Sequence, residues 1–520
     1  MKHKLHYFLL FLLLISVVFG CNSGRIHTDF SYSPENPKIG DSVFFTNLSA
    51  GGEDFSWTFR HYRTGTLAHS TLENPVRVFS LPGEYSVTLR INADDNNIRV
   101  RNLYVYDSIP FIARDKETVG IFTNITFRAV AFNPLNRPQT FEWHFSLNAE
   151  GENLEICQDR NIKISRVAQP TVWFTRLEQE TVKLHMTVDE SVFTMEQIPH
   201  ERFQVVDIPA RSLLMARKDG TILRQRIFEK GTGQVEETNI FSGAHPFNII
   251  AVDEQLFIFD AGTNIQENAN WRTDTSGDGS IRVVNLVNDN SPMGETVISN
   301  VGTSAYFGFY NGFVDNEYIY WTDRNDFFYK IPKTTRNQVF EWRDAAQNTL
   351  SYYVASAQSL GLAQGQLNGG IYFRDGIYYW AKANDGKGIH RFRKENGQIV
   401  RLSTRLGDFS IRSFVFDWQV ELIYFIATES PDGKAGVWVA HIDGTQAQLI
   451  DALSVDNPLE YITGILIDRE AGRLLWAHKS GVKQIRLLQN ARERPQTPTP
   501  FNQEEGILGI TLDNNLRFAQ

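Results

Sequence analysis

From about residue 209 to the C-terminus one pattern recurs, and it restricts the folds open to this chain more than any other feature. Each unit holds an apolar strand, a short turn, an aromatic-rich strand, a variable polar loop, and a strand ending near Asp, Asn or Gly. The spacing is roughly 45–60 residues, a period that marks repeat architectures whose units bury their apolar faces against their neighbours. Residues 248–253, 256–260 and 281–286 make one unit, and 312–315, 318–323 and 327–331 the next. Residues 371–374, 377–381 and 389–393 follow, then 414–417, 422–427 and 436–442, then 465–468, 473–477 and 482–487. The two ends of the region supply a sixth, with 507–512 and 515–519 as its first two strands and 212–217 and 221–228 as its last two. Pairing between these ends would close the array and remove its exposed edge.

Tyr320-Trp321-Thr322-Asp323 spells out one known repeat tetrad, and Tyr379-Trp380-Ala381 and Leu475-Trp476-Ala477 are weaker echoes of it. On these residues and the six aligned units, residues 208–520 resemble a six-bladed β-propeller of the YWTD or NHL type. The resemblance implies a ring closed by pairing of its N- and C-terminal strands. A seventh blade requires further strands within residues 340–370.

Upstream, strand-length runs alternate with turn signals. Pro82-Gly83 turns the chain into residues 84–91, where Tyr85, Val87, Leu89 and Ile91 share one face and Ser86, Thr88 and Arg90 the other. Such alternation predicts a sheet with one buried face. Gly40-Asp41, Phe55-Ser56-Trp57-Thr58-Phe59, Asn74-Pro75 and the run from Phe79 to Tyr85 together resemble a PKD domain, an immunoglobulin-like β-sandwich, over residues 30–107. Trp57 is its expected core residue. Phe141-Glu142-Trp143-His144-Phe145 echoes the central strand, and Val182, Leu184, Met186 and Val188 alternate inward, so residues 108–207 read as a second, divergent copy. The expected fold class is all-β: two sandwiches followed by the propeller.

Lys2 and Lys4 precede an almost unbroken apolar run from Tyr7 to Gly20. It is shorter than the roughly 20 residues a helix needs to cross a bilayer, and it has the size of a signal-peptide core. Val17-Val18-Phe19-Gly20-Cys21 resembles the lipobox of bacterial lipoproteins, as found in Bacteroides-like species. That resemblance implies a signal peptide over residues 1–20, acylation of Cys21 by fatty chains such as palmitate, and a polar tether over 21–29. Several chains anchor firmly, since each buried methylene adds about 0.8 kcal/mol. Asn22 lacks the charge of an aspartate that can retain lipoproteins at the inner membrane, which points to the outer membrane. The expected setting is the cell envelope, on its periplasmic or its surface-facing side.

Cleavage takes the formal net charge from −9 to −11, because Lys2 and Lys4 leave and no acid does. An acidic chain without basic clusters is not a nucleic-acid partner. Cys157 is the only other cysteine, which excludes a disulfide framework and predicts a buried apolar thiol.

In a propeller, the loops between second and third strands gather on one face with the loops linking blades. That face would collect Trp271, Tyr306, Phe309 and Tyr310, rings able to stack on sugars or anchor peptides. With Arg324 and Lys382 they form the candidate ligand-binding set; the competing reading packs these rings between blades. Asp274, Ser276 and Asp278, followed by Gly279, resemble the start of a calcium loop. Asn285 stands where the closing carboxylate belongs, which favours a metal-free turn, and no cofactor is required. No catalytic residue is assigned. His245, His390, His441 and His478 fall in different units without metal-ligand spacing, and Gly-x-Ser-x-Gly is absent. Glu429, Asp323, Asp326 and Asp385 belong to the same face without being singled out. Three classes of function remain: a non-catalytic binder of glycan or protein, an envelope scaffold, and a glycosidase or polysaccharide lyase built on paired carboxylates.

Overall fold

A strand covered on one face alternates apolar and polar residues, whereas one covered on both faces is apolar throughout. Both patterns are realised here. The computed structural model describes residues 27–518 apart from 108, 134–135, 189–190, 242, 244, 263–278, 288–293, 301–308, 310, 323–326, 341–351, 363–367, 383–385 and 454–463. The chain is all-β, with no α-helix among the described residues, and it divides into two compact units, Met1–Asp207 and Ile208–Gln520. No helix among the described residues is long and apolar enough to cross a membrane.

In the first unit, Phe30–Ser33, Ser42–Asn47 and Val76–Val78 form one sheet. Leu67–Ser70, Phe55–His61, Gly83–Ile91 and Ile98–Val105 form another. Alternate residues of Gly83–Ile91 are buried, as one covered face requires. The two sheets share a core in which Phe30, Phe45, Trp57 and Phe59 meet, and Trp57 is fully buried. Burying a side chain of this size stabilises the fold by about 3 kcal/mol. The Tyr85 hydroxyl donates to the Leu81 carbonyl at 3.0 Å, giving the buried ring a partner for its polar end.

The rest of this unit repeats the scheme. Ala149–Glu150, Thr171–Phe174, Ile125–Val130 and Phe111–Arg114 make one sheet. Gln139–Phe145 pairs with Gln179–Val188 in the other, placing Trp143 opposite Leu184. Trp143, Phe145, Val182, Leu184, Met186 and Val188 are buried together. Cys157 departs from expectation, being only partly buried. It closes a three-residue strand, Glu155–Cys157, paired on one side with Ile162–Ser165, so nothing covers it fully.

Among the described residues the second unit contains six four-stranded antiparallel arrays. Sheet I is Pro246–Val252, Gln255–Asp260, Ser280–Asn285 and Glu295–Asn300, with Gln338–Phe340 added in parallel. Sheet II is Gly312–Val314, Tyr318–Thr322, Phe327–Pro332 and Tyr353–Ser356. Sheet III is Asn368–Arg374, Ile377–Lys382, Gly388–Glu395 and Gln398–Arg401. Sheet IV is Ser410–Asp417, Leu422–Glu429, Gly436–His441 and Gln448–Ala452. Sheet V is Ile465–Asp468, Arg473–His478, Gly481–Arg486 and Thr499–Pro500. Sheet VI is Ile507–Arg517, Ala210–Arg217, Thr221–Ile227 and Thr232–Phe241. The second strands are buried on both faces, as in Gln255–Asp260 and Leu422–Glu429, because neighbouring sheets cover them. Trp321, Trp380 and Trp476, from the aromatic triplets, are fully buried.

The make-up of sheet VI corrects the sequence reading. Residues 507–512 and 515–519 were expected as two strands, yet Ile507–Arg517 is one, carried past Asp513 by an irregularity in its pairing with Ala210–Arg217. The C-terminus therefore gives one strand and the N-terminal part of the unit gives three. Residues 338–340 and 353–356 join sheets I and II and build no further sheet among the described residues.

The first strand of each sheet lies beside the first strand of the next, and Ile507–Arg517 lies beside both Ile465–Asp468 and Pro246–Val252. At that last contact Ala251 N donates to Thr511 Oγ1 at 2.9 Å. A Cβ on Gly509 would stand 2.9 Å from the Phe247 carbonyl oxygen, so glycine allows the two backbones to approach.

Candidate functional site

The sheets of the second unit have two chemically different ends. Where first strand turns into second, aspartates recur because a carboxylate can accept from the backbone N–H groups that a tight turn leaves free. Asp315 Oδ1 accepts from Glu317 N at 2.8 Å and Tyr318 N at 2.7 Å. Asp417 Oδ1 does so from Gln419 N at 3.2 Å, and Asp513 Oδ1 from Asn515 N at 3.1 Å. Cations from adjacent sheets bind several of these acids: Lys333 reaches Asp253 at 3.0 Å, Arg211 reaches Asp468 at 2.8 Å, and Arg469 pairs with Asp417. This end is committed to holding sheets together.

The opposite end, where second strands finish and third strands begin, is where the sequence gathers its candidate ligands. Trp271, Tyr306, Tyr310 and Arg324 lie outside the described residues. So do Asp274, Ser276, Asp278, Asp323, Asp326, Asp385 and the lipidation site Cys21. Two members of the set are described, and both are buried. Phe309 is 2% exposed and packs 6.1 Å from the Trp321 ring, because the neighbouring strands of sheet II cover it. Lys382 ends a second strand and is fully buried, its ammonium 4.8 Å from the Trp380 ring centre.

What the described residues do bring to this end is a shell of buried polar groups that the sequence reading did not single out. Asp260 is buried, and its Oδ1 accepts from His245 N and Gly262 N, each at 3.0 Å. His245 Nδ1 in turn stands 2.7 Å from the Gly262 carbonyl oxygen. Gly243 makes room: a Cβ there would fall 1.6 Å from Asp260 Oδ2.

In sheet III, His390 Nε2 donates to the Gly386 carbonyl at 2.7 Å, and Nδ1 accepts from Thr404 Oγ1 at 3.3 Å. Burial pushes the His390 imidazole below its ordinary value and the charges of Lys382 and Arg401 add to that, against the Gly386 bond, so the ring is neutral. Both its nitrogens are engaged. Arg412 is buried on the first strand of sheet IV. Glu429 lies at the rim and pairs with Lys387 at 3.0 Å. Among the described residues no three His, Cys, Asp or Glu side chains are grouped to hold a metal. The available signal for these residues was the recurrence of a polar residue at the last position of the second strand: Asp260, Thr322, Lys382 and Glu429.

No protein-family model matches the chain, and no curated protein matches it. Among solved structures it is similar to a provisionally named 6-phosphogluconolactonase from Bacteroides fragilis, with 12% identity, 73% of this chain and 99% of that one covered, and a TM-score of 0.33. A DUF4784 family protein from Bacteroides caccae is 8% identical over 78% of this chain and 98% of its own, with a TM-score of 0.32. A gluconolactonase from Xanthomonas campestris is 12% identical over 54% and 96%, also with a TM-score of 0.32. At TM-scores this low the likenesses carry no argument.

Proposed function

We propose that the chain is a lipid-anchored envelope protein, held by Cys21, whose two PKD-like sandwiches carry a six-bladed β-propeller that binds a glycan or an envelope protein without catalysis. The cyclic order of first-strand neighbours and the pairing of Ile507–Arg517 with Ala210–Arg217 support the propeller. Paired sheets around Trp57 and Trp143, with the Tyr85 hydroxyl bonded back to Leu81, support the sandwiches.

One observation carries the binding reading. One end of the second unit is committed to carboxylate–cation pairs, while the loop-bearing end holds polar groups on a rigid buried base. Loops on a rigid scaffold are the usual seat of recognition. Binding is favoured over acid–base catalysis because His390 has both nitrogens occupied and Asp260 is tied to backbone N–H groups. The test is a glycan array probed with the detergent-solubilised full chain, beside turnover assays on lactone and polysaccharide substrates. Retention of a glycan class without turnover is expected, and turnover of any substrate would overturn the reading.

A further inference from the structure

The first unit contains a cavity of about 500 Å³ between the end of strand Ile98–Val105, strand Ile125–Val130 and the described residues just after it, among them Phe132, Asn133 and Asn136. Small-molecule sites span about 300–1,000 Å³, so the space suits a ligand of one to a few rings. Its floor is aromatic and already fixed. Tyr104 and Tyr106 have ring centres 5.0 Å apart, and Tyr104 stacks on Phe111 at 6.3 Å. Tyr106 meets Phe132 edge-on at 6.1 Å, and the Lys38 ammonium caps Phe132 at 3.7 Å. Rings held this way offer stacking area with little entropy left to lose on binding.

The walls are amides. Asn36, Asn136, Gln139 and Gln169 line the cavity, and none of their side chains makes a hydrogen bond among the described residues. Asn133 is the contrast: its Nδ2 donates to the Arg137 carbonyl at 2.8 Å and its Oδ1 accepts from Arg137 N at 2.9 Å, so both ends of its amide are taken. A primary amide donates and accepts at once, as adjacent sugar hydroxyls require. Arg128 also lines the cavity, and among the described residues it has no ion pair and no carboxylate lines the space. A protein partner would call for a deep apolar anchor pocket, and this lining is polar instead.

We propose that this cavity is a binding site for a short glycan, in which sugar rings stack on Tyr104 and Tyr106, the free amides take hydroxyls, and Arg128 takes a carboxylate of a uronic acid. The site lies within the first unit and is independent of the reading of the second.

The test is titration calorimetry on the full chain in detergent, with trigalacturonic acid as the acidic probe and maltotriose as the neutral one. The acidic probe is expected to bind at least about fivefold more tightly, because a guanidinium–carboxylate bond is the strongest contact on offer. Arg128→Gln should abolish that preference. Gln139→Ala and Gln169→Ala should each weaken both probes roughly two- to tenfold, with unchanged thermal melting. Absence of binding by either probe overturns the proposal, as does an affinity for both probes in the Gln139→Ala/Gln169→Ala double variant equal to that of the wild-type chain. Equal affinity for the two probes overturns the role given to Arg128. All altered residues lie in the first unit, so failure here leaves the reading of the second unit untouched.

Discussion

Arg211 Nη1 donates to Asp468 Oδ1 at 2.8 Å, although 257 residues separate them in the chain. The pair joins the second strand of sheet VI to the end of the first strand of sheet V, and both side chains are buried. Asp468 also accepts from Arg473 Nε at 3.0 Å and from Ala471 N at 3.2 Å. Burial alone would raise its pKa, but the bonds to Arg211 and Ala471 and the charges of Arg211 and Arg473 hold it below the usual carboxylate range.

Asp468→Asn removes the charge that the buried Arg211 and the partly buried Arg473 face. Breaking such a pair from one side costs about 3–5 kcal/mol, and a loss at the lower end is expected in urea unfolding followed by the signal of the second unit. The pH dependence has a definite sign. A carboxylate depressed in the folded state contributes stability above its unfolded value, and that stability disappears as pH falls through the lower folded value. The wild-type chain should therefore lose stability below about pH 4, and the variant should lose less over the same window. Equal acid sensitivity in both would show that Asp468 is uncharged in the fold.

His390 titrates in the opposite sense to a paired histidine. Its folded value is lowered, so as pH falls below about 6.5 the unfolded chain takes up the proton first and stability declines. Nitrogen-detected NMR at pH 7 is expected to find a neutral ring with the proton on Nε2. A protonated ring at that pH would contradict its burial.

Gly243→Ala adds a methyl group where Asp260 Oδ2 already stands, at a backbone φ of +114°. The carboxylate must leave its bonds to His245 and Gly262, with strain at the alanine as well. A loss of about 2–4 kcal/mol is expected, read as a lowered urea midpoint. A midpoint equal to wild type would mean that the Asp260 seat is dispensable.

Cys21→Ala should abolish incorporation of radiolabelled palmitate and release the chain from the membrane fraction. Labelling that persists in the variant would remove the lipid anchor from the proposed function, since no other cysteine lies near the N-terminus.

Several parts of the fold were legible because they follow from local pattern. The strict alternation in Gly83–Ile91 reports one covered face, and the unbroken apolar run in Leu422–Glu429 reports two. The buried side of Gln179–Val188 was readable for the same reason. The candidate site was much less legible. Phe309 and Lys382 have the composition of loop ligands, yet each is buried, and Cys157 is half-covered where a buried thiol was expected.

The sequence by itself determined the period of the strands, the faces they bury, and the meeting of the C-terminal strand with residues near 212, because side-chain alternation and turn chemistry act over a few residues. Only the tertiary structure decided that Ile507–Arg517 is one strand and not two, that Asp468 meets Arg211, and that Asp260 and His390 are enclosed. These outcomes depend on which sheet lies against which. Burial and charge pairing are properties of surfaces brought together from distant parts of the chain, and no local pattern encodes them.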